Sequence, residues 1–193
     1  MDNKINELIN KINHLENELE KEVAKRHDKM GKQFLELGEE MKRMQQKVKV
    51  SAVRYVLDAN ILFIISAPII YSLIIPFALL DLMVTIYQAI CFPIYKIEKV
   101  KRKDYLVFDR AKLEYLNIIE KINCAYCAYG NGILAYSREV AARTEKFWCP
   151  IKHKERLLGA HKYYRSFSDY GDGEKYRKEL LEHRDELKER EEE

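Results

Sequence analysis

Ile61-Leu-Phe-Ile-Ile-Ser-Ala-Pro-Ile-Ile-Tyr-Ser-Leu-Ile-Ile-Pro-Phe-Ala-Leu-Leu80 is a run of 20 residues without a charge. At about 1.5 Å per residue such a helix is roughly 30 Å long, the thickness of a bilayer's hydrocarbon core. The highly charged residues 1–54 precede it, so it is not the apolar centre of a cleaved leader, and the chain is expected to stay anchored. After Asp81 the apolar character continues through Leu82, Met83, Val84, Ile86, Tyr87, Ile90, Phe92 and Ile94. The whole run from Tyr55 to Tyr95 is too long for one perpendicular span, yet it contains no polar loop. One reading has a single span followed by an interfacial extension, and another has two spans that turn near Asp81. In a third, a re-entrant segment is bent at Pro68 and Pro76, where a ring replaces a backbone donor.

Charge distribution bears on that choice. The net +3 conceals segment totals of +2 for residues 1–54, −2 for 55–95, +8 for 96–165 and −5 for 166–193. Lys42, Arg43, Lys47, Lys49 and Arg54 precede the apolar run, and Lys96, Lys99, Lys101, Arg102 and Lys103 follow it. Positive residues collect on the cytoplasmic side, so basic flanks at both ends favour a hairpin or re-entrant segment with both termini cytoplasmic. A buried helix of a soluble domain is the plain alternative, disfavoured by the length of the run. Asp58 and Asp81 near its ends fit solvation at the interface better than a proton relay.

Between Ile5 and Val48 there is no proline, and apolar residues recur at three- and four-residue steps. Ile5, Leu8, Ile12, Leu15 and Leu19 form one run, and Val23 joins it to His27, Met30, Phe34, Leu37, Met41, Met44 and Val48. The consecutive four-residue steps at the join resemble a stutter, which unwinds a coiled coil locally without ending its helices. A helix of about 66 Å is too long to persist alone in water. Residues 5–48 are therefore expected to make a homo-oligomer or to hold a protein partner. A long amphipathic helix folded onto the rest of the chain or lying on headgroups is the plain alternative.

Three of the four cysteines fall in Cys124-Ala-Tyr-Cys127 and Trp148-Cys149-Pro150, with His153 close behind. The spacing C-x2-C-x21-C-x3-H suits a tetrahedral zinc site at Cys124, Cys127, Cys149 and His153, and iron is possible with the same donor types. Asp109–Tyr129 reads as a helix capped by Asp109, Gly130-Asn131-Gly132 as a break, and Ile133–Phe147 as a second, antiparallel helix. On the first, Glu120, Cys124 and Cys127 share a face; with Arg138, Glu139, Arg143 and Glu145 they suggest a polar interior or second shell. Glu139 and Arg143 are otherwise an ordinary helix ion pair. A redox or nucleophilic CxxC is a further reading, weakened because no strand precedes it. Cys91, inside the apolar run, reads as a small buried hydrophobe.

The segments Asp104–Asp109, Asn123-Cys-Ala-Tyr-Cys-Ala-Tyr-Gly-Asn-Gly132, Ala135-Tyr-Ser-Arg-Glu-Val-Ala-Ala-Arg-Thr-Glu145 and Trp148-Cys-Pro-Ile-Lys-His153 together resemble a family of bacterial membrane proteins that has no assigned activity. The resemblance covers about residues 60–155 and implies a bacterial inner-membrane protein whose soluble parts face the cytoplasm. It contributes no catalytic residues.

Lys96, Lys99, Lys101, Arg102 and Lys103 lie where anionic headgroups would be, so the +8 segment points to membrane lipids. Nucleic acid is the weaker partner, because no aromatic residues interleave with the basic run. Residues 166–173 read as a linker and 174–193 as a charged, solvated helical tail. The sequence thus predicts an all-α protein in four parts: coiled coil 1–54, membrane segment 55–95, basic Cys/His helical domain 96–165, and linker with tail 166–193. Its expected role is a membrane-anchored scaffold or binding protein. The competing class is a membrane-associated enzyme using the Cys/Glu/His cluster, and the sequence assigns no catalytic residue.

Overall fold

In the computed structural model, which describes residues 2–36 and 38–188, regular secondary structure is helical, and the only β element among those residues is an isolated parallel bridge between Ile151 and Ser168. The apolar run forms α4 (Ile61–Ser72) and α5 (Ile74–Tyr95), which continue one another as a single 35-residue helix, Ile61–Tyr95, long and apolar enough to cross a membrane. Asn60 caps its start by accepting a bond from the Leu62 N–H at 2.9 Å. The described residues thus make an all-helical protein with one such helix.

The interruption at Leu73 follows from Pro76. Proline has no N–H to give the Ser72 carbonyl and its ring crowds that oxygen, so the helix restarts with Pro76 in its first turn. Leu73 nevertheless keeps right-handed helical angles, φ −63° and ψ −13°, and its N–H bonds back to Ile70. The expected hairpin therefore has no turn to make it. Pro68 and Pro76 leave a joint in a continuing helix.

The chain divides into two compact units, Met1–Ser51 with Leu113–Asn117, and Ala52–Lys112 with Ile118–Glu193. In the first, α1 (Asp2–Glu36) and α2 (Gly38–Lys47) carry the predicted stripe, and Leu8, Leu15, Leu19, Val23, Met30 and Met44 are all exposed. Leu37 and the side chains of Ile5 and Phe34 lie outside the described residues. The Gln45 side chain accepts the Glu114 N–H at 3.0 Å.

The second unit begins with the short α3 (Ala52–Leu57) and is built on α5 and α6 (Ile118–Trp148). Tyr71 bonds Asn123, the Phe77 ring lies against Gly130, Asp81 accepts from Tyr129, Gln88 bonds Tyr136, and Tyr95 stacks on Phe147. From Tyr71 with Asn123 to Gln88 with Tyr136 and Tyr95 with Phe147 both numbers rise, so the helices run parallel. A parallel pair needs a return connection, and residues 96–117 supply it. Lys96 starts the return in a left-handed conformation, φ 57°, where the chain leaves the helix.

The return is an extended strap with short 3-10 turns at Arg102–Asp104 and Asp109–Lys112. Ile97, Val100 and Leu106 bury along it, joining Phe92, Ile133, Tyr136 and Val140 in the core. An extended segment has no backbone partners of its own, so buried positions need outside ones. The Gln88 amide provides both at Val100, accepting its N–H at 2.9 Å and donating to its carbonyl at 3.1 Å.

Gly132 is where the strap crosses α6. A β-carbon there would stand 2.5 Å from the Tyr105 carbonyl oxygen, a backbone atom that cannot swing aside. Gly132→Ala is expected to cost about 1–3 kcal/mol through overpacking. Gly31→Ala, with nothing within 4 Å of the added carbon, should instead stabilise its helix by about 0.5–1 kcal/mol. Thermal unfolding of the two variants checks this contrast.

The helix α6 corrects two expectations. It runs unbroken through Gly130-Asn131-Gly132, and it starts at Ile118, leaving Asp109 in a 3-10 turn. The glycines serve close packing against Phe77 and the strap, and do not end a helix. Beyond it, α7 (Gly173–Lys188) is no freely solvated tail. It buries Leu180, His183 and Leu187 and docks on α6, with Arg184 donating to the Phe147 carbonyl at 3.0 Å. Residues 189–193, the rest of the expected acidic end, lie outside the described residues.

Candidate functional site

The polar interior forms around Glu139, one of the few buried charges among the described residues. Its carboxylate accepts the Tyr163 hydroxyl at 2.7 Å and the Arg143 Nε–H at 3.0 Å, and Lys162 Nζ stands 3.1 Å away. Arg143 also reaches the strap, donating to the Glu98 carbonyl at 2.6 Å and pairing with the Glu98 carboxylate at 3.1 Å. The Glu139 and Arg143 side chains are only 10% and 11% exposed, so this is no surface helix pair. Three segments are tied there: the strap by Glu98, α6 by Glu139 and Arg143, and the loop before α7 by Lys162 and Tyr163.

Burial pushes the Glu139 carboxyl up, but the bonds from Tyr163 and Arg143 and the charge of Lys162 prevail and hold it below the ordinary carboxylate value. Burial pushes the Tyr163 phenol up, and its bond to Glu139 adds to this. Burial works against charge on Arg143, yet the bond to Glu139 leaves its pKa raised. The carboxylate is fully engaged, and the cluster clamps these three segments together.

The other predicted polar residues find separate partners. Glu145 pairs with His161 at 2.8 Å, Arg138 donates to the Gly159 carbonyl at 2.7 Å, and Glu120 lies in the first turn of α6. Buried Lys146 pairs with Glu186 of α7.

The four proposed ligands do not converge. Cys127 and Cys149 are separated by a continuous helix, which at about 1.5 Å per residue puts them roughly 33 Å apart. Cys124 and Cys127 lie one turn apart near the start of α6, and Cys149 follows its end. The backbone N–H of His153 bonds the Tyr164 hydroxyl at 2.6 Å, and its ring stacks on Tyr164. Among the described residues no group of three or more His, Cys, Asp or Glu is placed to hold a metal ion. The expected Cys3His set rested on a helix break at Gly130–Gly132, and the break is absent.

Of the basic residues, Lys96, Lys99, Lys101 and Lys103 are exposed, while Arg102 is committed to Asp81. Its Nε and second guanidinium nitrogen reach the two Asp81 oxygens at 2.9 and 2.6 Å, and Tyr129 adds a bond at 3.0 Å. The strap is thereby fixed to the middle of the apolar helix. A groove of about 400 Å³ opens between α3, α4 and the start of α6, with Phe63, Ala67, Tyr71, Ile119 and Cys127 among its walls.

The structure adds Glu98, Lys162 and Tyr163 to the polar cluster, and Gln88 as the strap's anchor. Glu98, Lys162 and Tyr163 have no local sequence signal, because each meets its partner across a long stretch of chain. The only legible hint is Gln88, an amide inside an otherwise apolar run. Comparison with family models, curated proteins and solved structures gives no match, so the residues themselves carry the functional argument.

Acid should loosen the second unit in two steps. Both ring nitrogens of His183 are buried without a hydrogen-bond partner. Burial and the nearby Lys146 hold its pKa below the ordinary value, against the pull of Glu186, Glu179 and Glu182. The unfolded chain takes up that proton near pH 6.5 and the folded one resists, so this contribution is complete above about pH 6.5 and declines as the pH falls toward the folded value. Glu139, also depressed, contributes fully above about pH 4.3 and loses its share as pH falls through its folded value. Urea midpoints measured downward from about pH 7 should fall in both windows, and His183→Phe should flatten the upper one.

Proposed function

We propose that the protein is a membrane-anchored scaffold or binding protein, self-associating through residues 5–48 and presenting a rigid helical unit at a lipid surface. The observation that carries this reading is the Ile61–Tyr95 helix, whose most apolar window has no buried residue within the chain. So much exposed apolar surface is costly in water and needs a cover, which a bilayer supplies. The bilayer of this reading is a bacterial inner membrane, with the soluble parts facing the cytoplasm. The exposed stripe from Leu8 to Met44 supports association of copies.

Cell fractionation tests the anchor. The protein is expected to sediment with membranes, remain there in high salt and be released by detergent; release by salt alone would contradict it. For the stripe, sedimentation of the detergent-solubilised full chain should give an oligomer, and Leu15→Asp with Leu19→Asp should give a monomer.

A further inference from the structure

We infer that the Ile61–Tyr95 helix lies in the plane of an anionic bilayer's interface and does not cross it. The inference rests on the membrane reading above and specifies how the anchor sits.

Three observations lead there. The first is length. The helix is about 52 Å long against a hydrocarbon core of about 30 Å, and fitting it by tilt alone takes roughly 55°, outside the 0–40° range of spanning helices. The second is what travels with it. Helix α6 bonds to it from Ile70 onward, and the strap bonds to it at Asp81 and Gln88. The strap exposes Lys101, Lys103, Asp104, Asp109, Arg110 and Lys112. Any 30 Å slab across the helix would take charged parts of this strap, or Glu120 and Lys121 of α6, into hydrocarbon. Only Ile61–Ile69, about 14 Å, precedes the first bond to α6, and that is too short to span.

The third is where the apolar side chains point. Ile75, Leu79, Leu82, Ile86, Ile90 and Ile94 are exposed, and at 100° per residue they share the side of the helix opposite Asp81, Gln88 and Phe92. This ribbon carries no charge from one end to the other. From Ile75 to Ile94 this uncharged face lies opposite the side on which the strap and α6 are bonded, so the helix together with those charged elements has one apolar and one polar side, which suits the headgroup and acyl boundary. The exposed Lys96, Lys99, Lys101 and Lys103 complement anionic lipid. The basic residues that flank the apolar run on both sides favour a helix that does not carry one of its ends across the bilayer.

The test uses the full chain with its four cysteines replaced by serine or alanine and nitroxide labels at positions 75, 82, 90 and 94 in turn. The carrier is vesicles of phosphatidylglycerol with phosphatidylcholine. All four labels should report one shallow depth, about 5–10 Å below the headgroups. A profile that deepens and then returns to water along the helix overturns the in-plane placement and leaves the membrane reading standing. Strong coupling between labels of two copies, without access to lipid-soluble oxygen, assigns the ribbon to a second chain and also overturns it. Failure to bind vesicles brings down both readings. Should the cysteine-free chain not fold, the unaltered protein decides. Protease added outside sealed vesicles should cut residues 1–51 and α7 in the same molecules, and protection of only one of them would establish a crossing.

Discussion

Replacing Glu139 by alanine should destabilise the second unit by about 3–5 kcal/mol, the cost of breaking a buried pair from one side. The carboxylate neutralises Arg143 and Lys162 and accepts from Tyr163. Without it, buried Arg143 keeps only Glu98, and the half-exposed Lys162 is left beside it without its carboxylate. For a unit of this size the melting temperature should fall by about 10 °C or more. Because Glu139 ties the loop before α7 to α6, the loss should appear first as faster amide exchange in residues 159–168. A change below about 1 kcal/mol would mean that water reaches the cluster and screens it, as it does exposed pairs. Glu139→Gln retains the shape but not the charge, and should fall between the two.

Gln88→Ala is expected to be nearly as damaging. One amide satisfies the N–H and carbonyl of Val100 and bonds the Tyr136 hydroxyl at 2.6 Å, all in the buried core. Truncation orphans these groups at about 1–3 kcal/mol each where water cannot follow, and leaves a void besides. A total of about 3–5 kcal/mol is reasonable once the strap relaxes. Gln88→Glu separates the roles: it still accepts the Val100 N–H but has no donor for the carbonyl. Denaturant unfolding, with exchange at the Val100 amide, reads both.

These two sites show how far the sequence could be read. Helical class, the apolar helix and the N-terminal stripe follow from periodicity and composition, because a run such as Ile61–Leu80 or the spacing Leu8, Ile12, Leu15, Leu19 has one physical outcome locally. The pair Glu139 and Arg143 was also legible, four residues apart on a helix. Its burial was not, since Glu98, Lys162 and Tyr163 arrive from elsewhere in the chain. Gly130-Asn131-Gly132 misled for a related reason. Two glycines flanking an asparagine read as a break when only local propensity is weighed, yet here the glycines admit the Phe77 ring and the Tyr105 backbone. Packing repays the helix cost, and the continuous α6 then carries Cys124 and Cys127 far from Cys149. The hairpin expectation failed at Leu73, where Pro76 interrupts one helical bond without reversing the chain.

The parallel arrangement of α5 and α6 is the feature on which the account depends. It forces a long return strap, the strap brings charge alongside an apolar helix, and the face of α5 away from the strap is left uncharged. Flotation of the purified full-length protein with phosphatidylglycerol-containing vesicles tests the resulting claim most directly. The protein should rise with the vesicles and stay with them in high salt. Protein that remains in the dense fraction, soluble without detergent or lipid, would contradict it.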